Sequence, residues 1–248
     1  MTKLKVLDLF SGIGGFSLGL ERTGGFETIA FCDVDKACHK VLQKHWSSVP
    51  IFDDVNTLTK EKINGSVDVI CGGFPCQDIS LAGKGGGIKG ERSGLWFQFH
   101  RLIKETKPKF VIAENVASLR SRGLDEVLHS LNEIGYDSEW HCIPASFVGA
   151  FHKRDRIWII AYPHSEHVEG RVSEPILGQP TLQRIYDHGK VTPFRKLSSI
   201  CEPRLHRTFN GLPGQVDRLK QLGNSVVPQI PELIGHALLE HLHITKDF

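Results

Sequence analysis

The chain lacks the features that mark several classes of protein. Its six cysteines include no Cys-x-x-Cys pair and no regular spacing, which argues against a structural zinc site and against a secreted disulfide scaffold. No apolar run is long enough to cross a bilayer, and the first residues lead straight into a strand-like segment with no room for a signal peptide. We therefore expect a cytoplasmic protein that holds no metal and does not enter a membrane.

The chain also carries little net charge. A formal charge of +2 is too small to identify a nucleic-acid binder by itself, so any such partner has to be argued from local residues. With 248 residues, of which 40% are hydrophobic, the chain can form one full domain and a small second region.

Strand-like and helix-like segments alternate along most of the chain. The apolar patterns predict strands at 5–9, 28–32, 67–72, 109–113 and 156–162, and helices at 16–22, 36–45, 96–106, 124–134 and 228–243. This alternation predicts an α/β fold with a doubly wound, mostly parallel sheet. Residues 163–216 differ, because they are rich in Pro, Gly, His and Ser and show little helical periodicity. We expect them to form a separate small region.

The most informative stretch is Cys-Gly-Gly-Phe-Pro-Cys at 71–76. It follows the apolar run 67–70, so Cys76 is expected on the turn that leaves a buried strand, where reacting groups usually lie. A free cysteine is most often a small buried hydrophobe, and that reading applies to the five other cysteines. For Cys76, the glycine-flanked turn and the rigid Pro75 favour a positioned thiolate nucleophile.

A glycine-rich turn, Ser-Gly-Ile-Gly-Gly at 11–15, follows the first predicted strand. Such turns admit a ligand at a helix amino terminus, although they also occur without ligands. Asp33 closes the second strand about 20 residues later, where a carboxylate can accept hydrogen bonds from ribose hydroxyls. These residues favour a cofactor that contains a nucleoside, and they do not separate NAD from S-adenosylmethionine.

Five motifs together resemble those of the cytosine-C5 DNA methyltransferases, in the order and spacing of that family. They are Asp-Leu-Phe-Ser-Gly-Ile-Gly-Gly at 8–15, Gly-Phe-Pro-Cys-Gln at 73–77, Glu-Asn-Val at 114–116, Arg-Asp-Arg at 154–156 and Gly-Asn-Ser-Val-Val-Pro at 223–228. The resemblance implies a Rossmann-like class I methyltransferase that uses S-adenosyl-L-methionine. It assigns 1–162 and 217–248 to the catalytic domain and 163–216 to a small target-recognition region.

The resemblance implies four catalytic residues. Cys76 matches the nucleophile that adds to carbon 6 of a cytosine flipped out of the helix, and Glu114 matches the carboxyl group that contacts the ring nitrogen and exocyclic amine. Both groups are needed, because carbon 5 becomes nucleophilic only after addition at carbon 6 and hydrogen bonding or protonation at the ring nitrogen. Arg154 and Arg156 match paired arginines beside the base pocket, although an ordinary surface pair is the alternative.

The resemblance also implies a set of cofactor contacts. Asp33 stands where the family more often has Glu, and Asp54 matches the acid that contacts the adenine amine. The full set is Phe10, Gly12, Gly14, Asp33, Asp54, Val55, Pro75, Leu95, Asn224 and Val226.

Two segments differ from a simple match. At Phe151 and His152 the family commonly has proline and glutamine, which leaves the role of His152 open. The glycine-rich segment 83–93 is either a flexible linker or a lid that closes on DNA, with Lys84, Lys89 and Arg92 at phosphates.

The expected partner is double-stranded DNA, bound by a monomer, with restriction-modification as one setting. An RNA cytosine methyltransferase on the same scaffold remains open, as does a catalytically silent DNA-binding relative, which the intact Cys76, Glu114 and Asn224 disfavour. Within the recognition region, Arg-Leu-His-Arg at 204–207 is the densest basic cluster and the preferred contact with base edges.

Overall fold

The computed structural model describes residues 2–75, 94–164, 175–193 and 225–244. Within these ranges the chain forms one seven-stranded sheet in the order β3-β2-β1-β4-β5-β7-β6. The strands are β1 (Leu4–Leu9), β2 (Phe26–Cys32), β3 (Ile51–Phe52), β4 (Val69–Gly73), β5 (Phe110–Val116), β6 (Tyr136–Pro144) and β7 (Asp155–Pro163). The helices are α1 (Gly15–Arg22), α2 (Lys36–His45), α3 (Leu95–Thr106), α4 (Leu124–Glu133), α5 (Gln179–Asp187) and α6 (Gln229–Ile244).

The sheet is mostly parallel, which confirms the predicted doubly wound α/β class. β1 pairs in parallel with β2 and β4, and β2–β3 and β4–β5 are also parallel. β7 is antiparallel to both β5 and β6, and Arg156 at its start lies opposite Val116 at the end of β5. The carboxyl ends of β1, β4 and β5 and the beginning of β7 therefore share one edge of the sheet. We refer to it as the carboxyl edge.

Two apolar clusters cover the two faces of the sheet. One cluster includes residues of α3 and α4, and the other includes residues of α1, α5 and α6. Trp96 and Phe99 of α3 are completely buried, and each such side chain contributes about 1.5 to 3 kcal/mol to folding. Helices on both faces are what allows the parallel strands to be apolar on both sides.

The structure differs from the sequence-based expectation in three elements. β3, β6 and α5 were not predicted, and α5 lies within 163–216, where little regular structure was expected. Ile176, Leu177, Leu182 and Ile185 of this stretch are buried in the cluster that contains α6. In addition, β5 continues to Val116, so that Glu114 and its neighbour lie within the strand and not after it.

Candidate active site

The turn between β1 and α1 has an unusual backbone. Phe10, Gly12 and Gly14 all adopt positive φ, at 52°, 54° and 83°. A Cβ on Gly14 would lie 2.7 Å from the ring of Trp46, whereas a Cβ on Gly12 would meet none of the described residues within 4 Å. In the described part of the chain the backbone at Gly12 therefore faces open space, and a ligand can approach it closely.

Asp33 connects this turn to the end of β2. Its Oδ2 accepts a hydrogen bond from the Gly12 amide at 2.7 Å, and its Oδ1 accepts one from the Asp35 amide at 2.8 Å. The Nε2 atom of His39 lies 2.5 Å from the Asp33 carbonyl oxygen. The carboxylate predicted to bind ribose is therefore fixed beside the glycine turn, at the carboxyl edge.

Asp54 and Val55 lie on the loop that follows β3, next to β2 in the sheet. The Asp33 amide donates to the carbonyl oxygen of Phe52 at 3.0 Å, which joins this loop to the end of β2. Oδ1 of Asp54 accepts hydrogen bonds from both the backbone amide and the side-chain amide of Asn56, and Val55 is buried. Four predicted cofactor residues thus come from neighbouring strand ends: Phe10, Gly12, Asp33 and Asp54.

Other predicted cofactor residues lie around the same edge. Leu95 is the first residue of α3. A Cβ on Gly15 would lie 2.7 Å from the carbonyl oxygen of Val226, so Val226 packs directly on the start of α1. Pro75 is the last residue described before the segment 76–93, and Asn224 lies outside the described residues.

Glu114 and Arg156 form an ion pair at the carboxyl edge. The Nε of Arg156 lies 2.9 Å from Oε1 of Glu114, and the Glu114 side chain is 12% exposed. Burial raises the pKa of the Glu114 carboxyl group, and the nearby charges of Arg156 and Arg154 oppose that rise without cancelling it. A carboxyl group in this state can hold or share a proton near neutral pH more readily than a free one.

Arg154 precedes β7 on a tight turn. Its φ is 35°, a conformation that costs energy for a residue with a side chain. Burial and the neighbouring Arg156 lower the pKa of its guanidinium, while Glu114 opposes this. The Ala145 amide donates to the Lys153 carbonyl at 2.8 Å and so holds the turn closed. Arg154 is thereby kept near the Glu114–Arg156 pair.

Asn115 has a role that the sequence did not reveal. Its Nδ2 donates to the carbonyl oxygen of Phe74 at 3.2 Å, and its Oδ1 accepts from the Val116 amide at 2.8 Å. Phe74 is buried against Trp96, with ring centroids 5.1 Å apart. The side chain of Asn115 thus ties β5 to the segment that leads into Cys76, and its only sequence signal was its place beside Glu114.

Comparison with known proteins decides the family. The family model described as C-5 cytosine-specific DNA methylase matches residues 4–200. The chain belongs to this family.

Curated relatives of this chain agree with the assignment. It is 37% identical over 159 residues to the type II methyltransferase M.CviJI of Paramecium bursaria Chlorella virus IL3A, over 63% of this chain and 42% of that protein. It is 33% identical over 208 residues to the type II methyltransferase M.Sau3AI of Staphylococcus aureus, over 76% of this chain and 50% of that protein. The chain therefore spans about half the length of the curated relatives it matches.

A solved structure shows the same fold. The Dnmt2 methyltransferase of S. pombe superposes with a TM-score of 0.60 and 18% identity, over 75% of this chain and 56% of that one. This likeness supports the Rossmann-like methyltransferase architecture.

The proposed nucleophile, Cys76, lies outside the described residues and directly follows Pro75. Two of the described cysteines, Cys32 and Cys71, lack the lowered pKa of a reactive thiol. Burial raises the pKa of Cys32 to about 12, and it raises the pKa of Cys71 well above its ordinary value. A thiol that ionises so poorly is a weak nucleophile, so neither competes with Cys76 for that role.

Asp8 is a further buried carboxyl group, on β1. Its Oδ2 accepts from the amide and hydroxyl of Ser17, at 3.3 and 2.7 Å, while Oδ1 has no hydrogen-bond partner among the described residues. Burial raises the pKa of Asp8 to about 8. No pattern in the sequence indicated this, because Asp8 belongs to the glycine-turn motif at 8–15.

The described residues contain neither a candidate metal centre nor a membrane-spanning helix. Residues 2–75, 94–164, 175–193 and 225–244 contain no group of three or more His, Cys, Asp or Glu that could hold a metal ion. No helix in this part of the chain is long and apolar enough to cross a membrane.

Proposed function

We propose that this chain transfers a methyl group from S-adenosyl-L-methionine to carbon 5 of a cytosine in double-stranded DNA. The observation that carries the proposal is the Glu114–Arg156 pair, partly buried at the carboxyl edge beside the segment that leads into Cys76. The type II methyltransferases among its relatives favour DNA as the substrate over RNA.

The chemistry assigns a role to each group. The Cys76 thiolate forms a bond to carbon 6 of the flipped-out cytosine, while Glu114 shares its proton with the ring nitrogen. Electron density moves to carbon 5, which would accept the methyl group as the bond from that methyl to the sulfonium sulfur breaks and its electron pair stays on the sulfur. Loss of the carbon 5 proton to a base then expels the thiolate and restores the aromatic ring. Arg156 fixes Glu114 through Oε1, which leaves Oε2 directed toward Gly73.

The cofactor supplies the activated methyl group when it is bound. The space above Gly12, the fixed carboxylate of Asp33 and the loop of Asp54 fit a ligand that carries an amino-acid part, a ribose and a purine. The residues that would hold it are Phe10, Gly12, Gly14, Asp33, Asp54, Val55, Pro75, Leu95, Asn224 and Val226.

Sequence recognition is assigned to 163–216, of which 163–164 and 175–193 are described. The basic cluster at 204–207 and the segment 83–93, with Lys84, Lys89 and Arg92, lie outside the described residues. Because basic and acidic residues nearly balance between 163 and 217, a few side chains at base edges should provide specificity.

Trapping on a fluorinated substrate tests the function. Duplex DNA that contains 5-fluorocytosine should form a covalent complex with the wild type and the cofactor, because fluorine cannot leave as a proton. Cys76→Ala should form no complex and transfer no methyl group while still binding the cofactor, because the thiol takes part only in covalent addition. Cys142→Ala serves as the matched control, and it should behave as the wild type.

A transfer rate of Cys76→Ala close to that of the wild type would overturn the assignment of the nucleophile. The same assay on transfer RNA distinguishes the substrates. Methylation of transfer RNA without methylation of duplex DNA would replace this function with the RNA alternative.

A further inference from the structure

Arg101 of α3 makes more polar contacts than an ordinary surface arginine. Its Nη2 donates to the carbonyl oxygens of Val55 and Leu58, both at 2.9 Å. Its Nη1 lies 2.6 Å from Oε1 of Glu105, and its Nε donates to Oε1 of Gln98 at 2.9 Å. The planar guanidinium is therefore held through all three of its nitrogens. Its Nη2 is directed at backbone oxygens 43 and 46 residues away in sequence.

The loop that Arg101 contacts is a single hydrogen-bonded turn. The carbonyl oxygen of Asp54 accepts from the amides of Thr57 and Leu58, both at 3.2 Å. The Asp54 carboxylate accepts from Asn56, as described above. Val55 and Leu58 are 6% and 1% exposed, so their carbonyl groups depend on an internal donor. Movement of any part of this turn would move Asp54.

The same helix also contacts the glycine turn. Phe99 stacks on Phe10, with ring centroids 6.4 Å apart and planes 20° from parallel. Leu95, at the first position of α3, belongs to the proposed cofactor set. One helix therefore contacts both the glycine turn and the turn of Asp54.

We propose that Arg101 is a positioning residue for the cofactor: it holds Asp54 and Val55 in register with the glycine turn, and so shapes the place for the purine ring. This inference rests on the proposed function. It goes beyond it because Arg101 itself touches no substrate and acts through the carbonyl oxygens of Val55 and Leu58.

Calorimetric binding is the primary test. Wild type, Arg101→Met and Arg101→Lys would be titrated with S-adenosylhomocysteine and, separately, with adenosine. Loss of two charge-assisted hydrogen bonds should weaken binding of both ligands by about tenfold or more, because both carry the purine. Lysine keeps one charged nitrogen but lacks the planar group that Gln98 and Glu105 hold in place, so the loss of affinity in Arg101→Lys should be intermediate.

Arg184→Met is the matched control. Arg184 is also a helical arginine paired with a glutamate, Glu240 at 2.7 Å, but it joins α5 to α6. Its replacement should leave both affinities unchanged. In the methylation assay, Arg101→Met should raise the KM for S-adenosylmethionine about as much as it raises the dissociation constant of S-adenosylhomocysteine. The kcat and the KM for DNA should stay close to the wild type.

A double-mutant cycle with Asp54→Asn tests whether the effect passes through Asp54. The two losses should be less than additive, because each disrupts the same turn. Unchanged binding of both ligands by a folded Arg101→Met would overturn the inference. The inference would also be overturned if kcat and the KM for DNA changed as much as the KM for the cofactor, because that pattern indicates general destabilisation. If the wild type bound no S-adenosyl ligand at all, the proposed function would fail, and this inference with it.

Discussion

Gly73 of β4 lies directly opposite Glu114 of β5, and a Cβ on Gly73 would fall 2.9 Å from Oε2 of Glu114. Cβ atoms do not come that close to an oxygen, so the carboxyl group needs a residue without a side chain across from it. The absence of a side chain at position 73 thus helps to set the direction in which Glu114 points.

Gly73→Ala should therefore reduce methyl transfer with little loss of stability. The added methyl meets the end of a flexible side chain, which would turn away from Arg156 at a cost of about 0.5 to 1.5 kcal/mol, or up to about tenfold in rate. Gly72→Ala is the contrasting variant, since its Cβ would lie 2.4 Å from the backbone oxygen of Leu9 and should lower the melting temperature. Single-turnover rates and thermal unfolding of both variants provide the measurement. An unchanged rate for Gly73→Ala would contradict the prediction.

Glu114→Gln should lower turnover by roughly 10²- to 10⁴-fold, the range expected when a general acid-base group is lost. The glutamine keeps the shape of the side chain and an acceptor for Arg156, but its amide cannot transfer a proton. DNA binding should fall much less than the single-turnover rate. Glu133→Gln, on the exposed face of α4, is a control that should retain full activity. A wild-type rate in Glu114→Gln would make Glu114 a structural residue.

Asp8→Asn should change how stability depends on pH. The folded pKa of about 8 lies above the ordinary value of 3.8, so the native state binds more protons than the unfolded state between these values. Stability is therefore present at the acidic end of this window and is lost as pH rises toward 8. Asparagine removes the titration and should flatten the profile from pH 5 to pH 8.5 relative to the wild type. Urea unfolding at several pH values measures this, and parallel profiles for the two proteins would count against a buried, titrating Asp8.

The recognition region should be exchangeable only in part. Replacement of 163–216 by the segment of a relative with another target should change the sequence that is methylated. The structure indicates that 175–193 should be kept, because Ile176, Leu182 and Ile185 are buried against the catalytic core and Thr192 donates to Glu232 at 2.6 Å. Exchange of all of 163–216 should lower the melting temperature more than exchange with 175–193 retained. Bisulfite sequencing reads out the target, and an active, folded chimera with the original target would place readout elsewhere.

The sequence predicted the main elements because their patterns are local. The helix predicted at 36–45 matches α2 in both bounds, and the strands of the parallel core have nearly the predicted limits. The elements that were missed depend on distant partners. β3 has two residues, and the start of the α5 region is held by Glu139 of β6, which accepts from the amides of Ile176 and Leu177. No local pattern encodes such contacts.

The candidate site likewise contains residues that local motifs predict and residues whose roles depend on distant partners. The glycine turn, Asp33 and Glu114 could be found because each stands in a motif with a defined place at a strand end. Asn115 acts through Phe74, and Arg101 acts through Val55 and Leu58, across 41 to 46 residues of sequence. Such roles follow from packing of the sheet and helices, and they become visible only when the tertiary structure brings the partners together.

The reversed direction of β7 has a consequence for how this chain can diversify. The strand starts at the carboxyl edge with Arg156 and ends at Pro163, which lies opposite Tyr136 at the far edge of the sheet. From there the chain returns alongside α6: Lys190 pairs with Glu240, and Thr192 reaches Glu232, toward the start of that helix. Arg154 and Arg156 therefore both come before this returning segment in the chain. Under the proposed assignment of readout to 163–216, insertions or exchanges after residue 193 can alter the recognised sequence without moving Arg154 or Arg156.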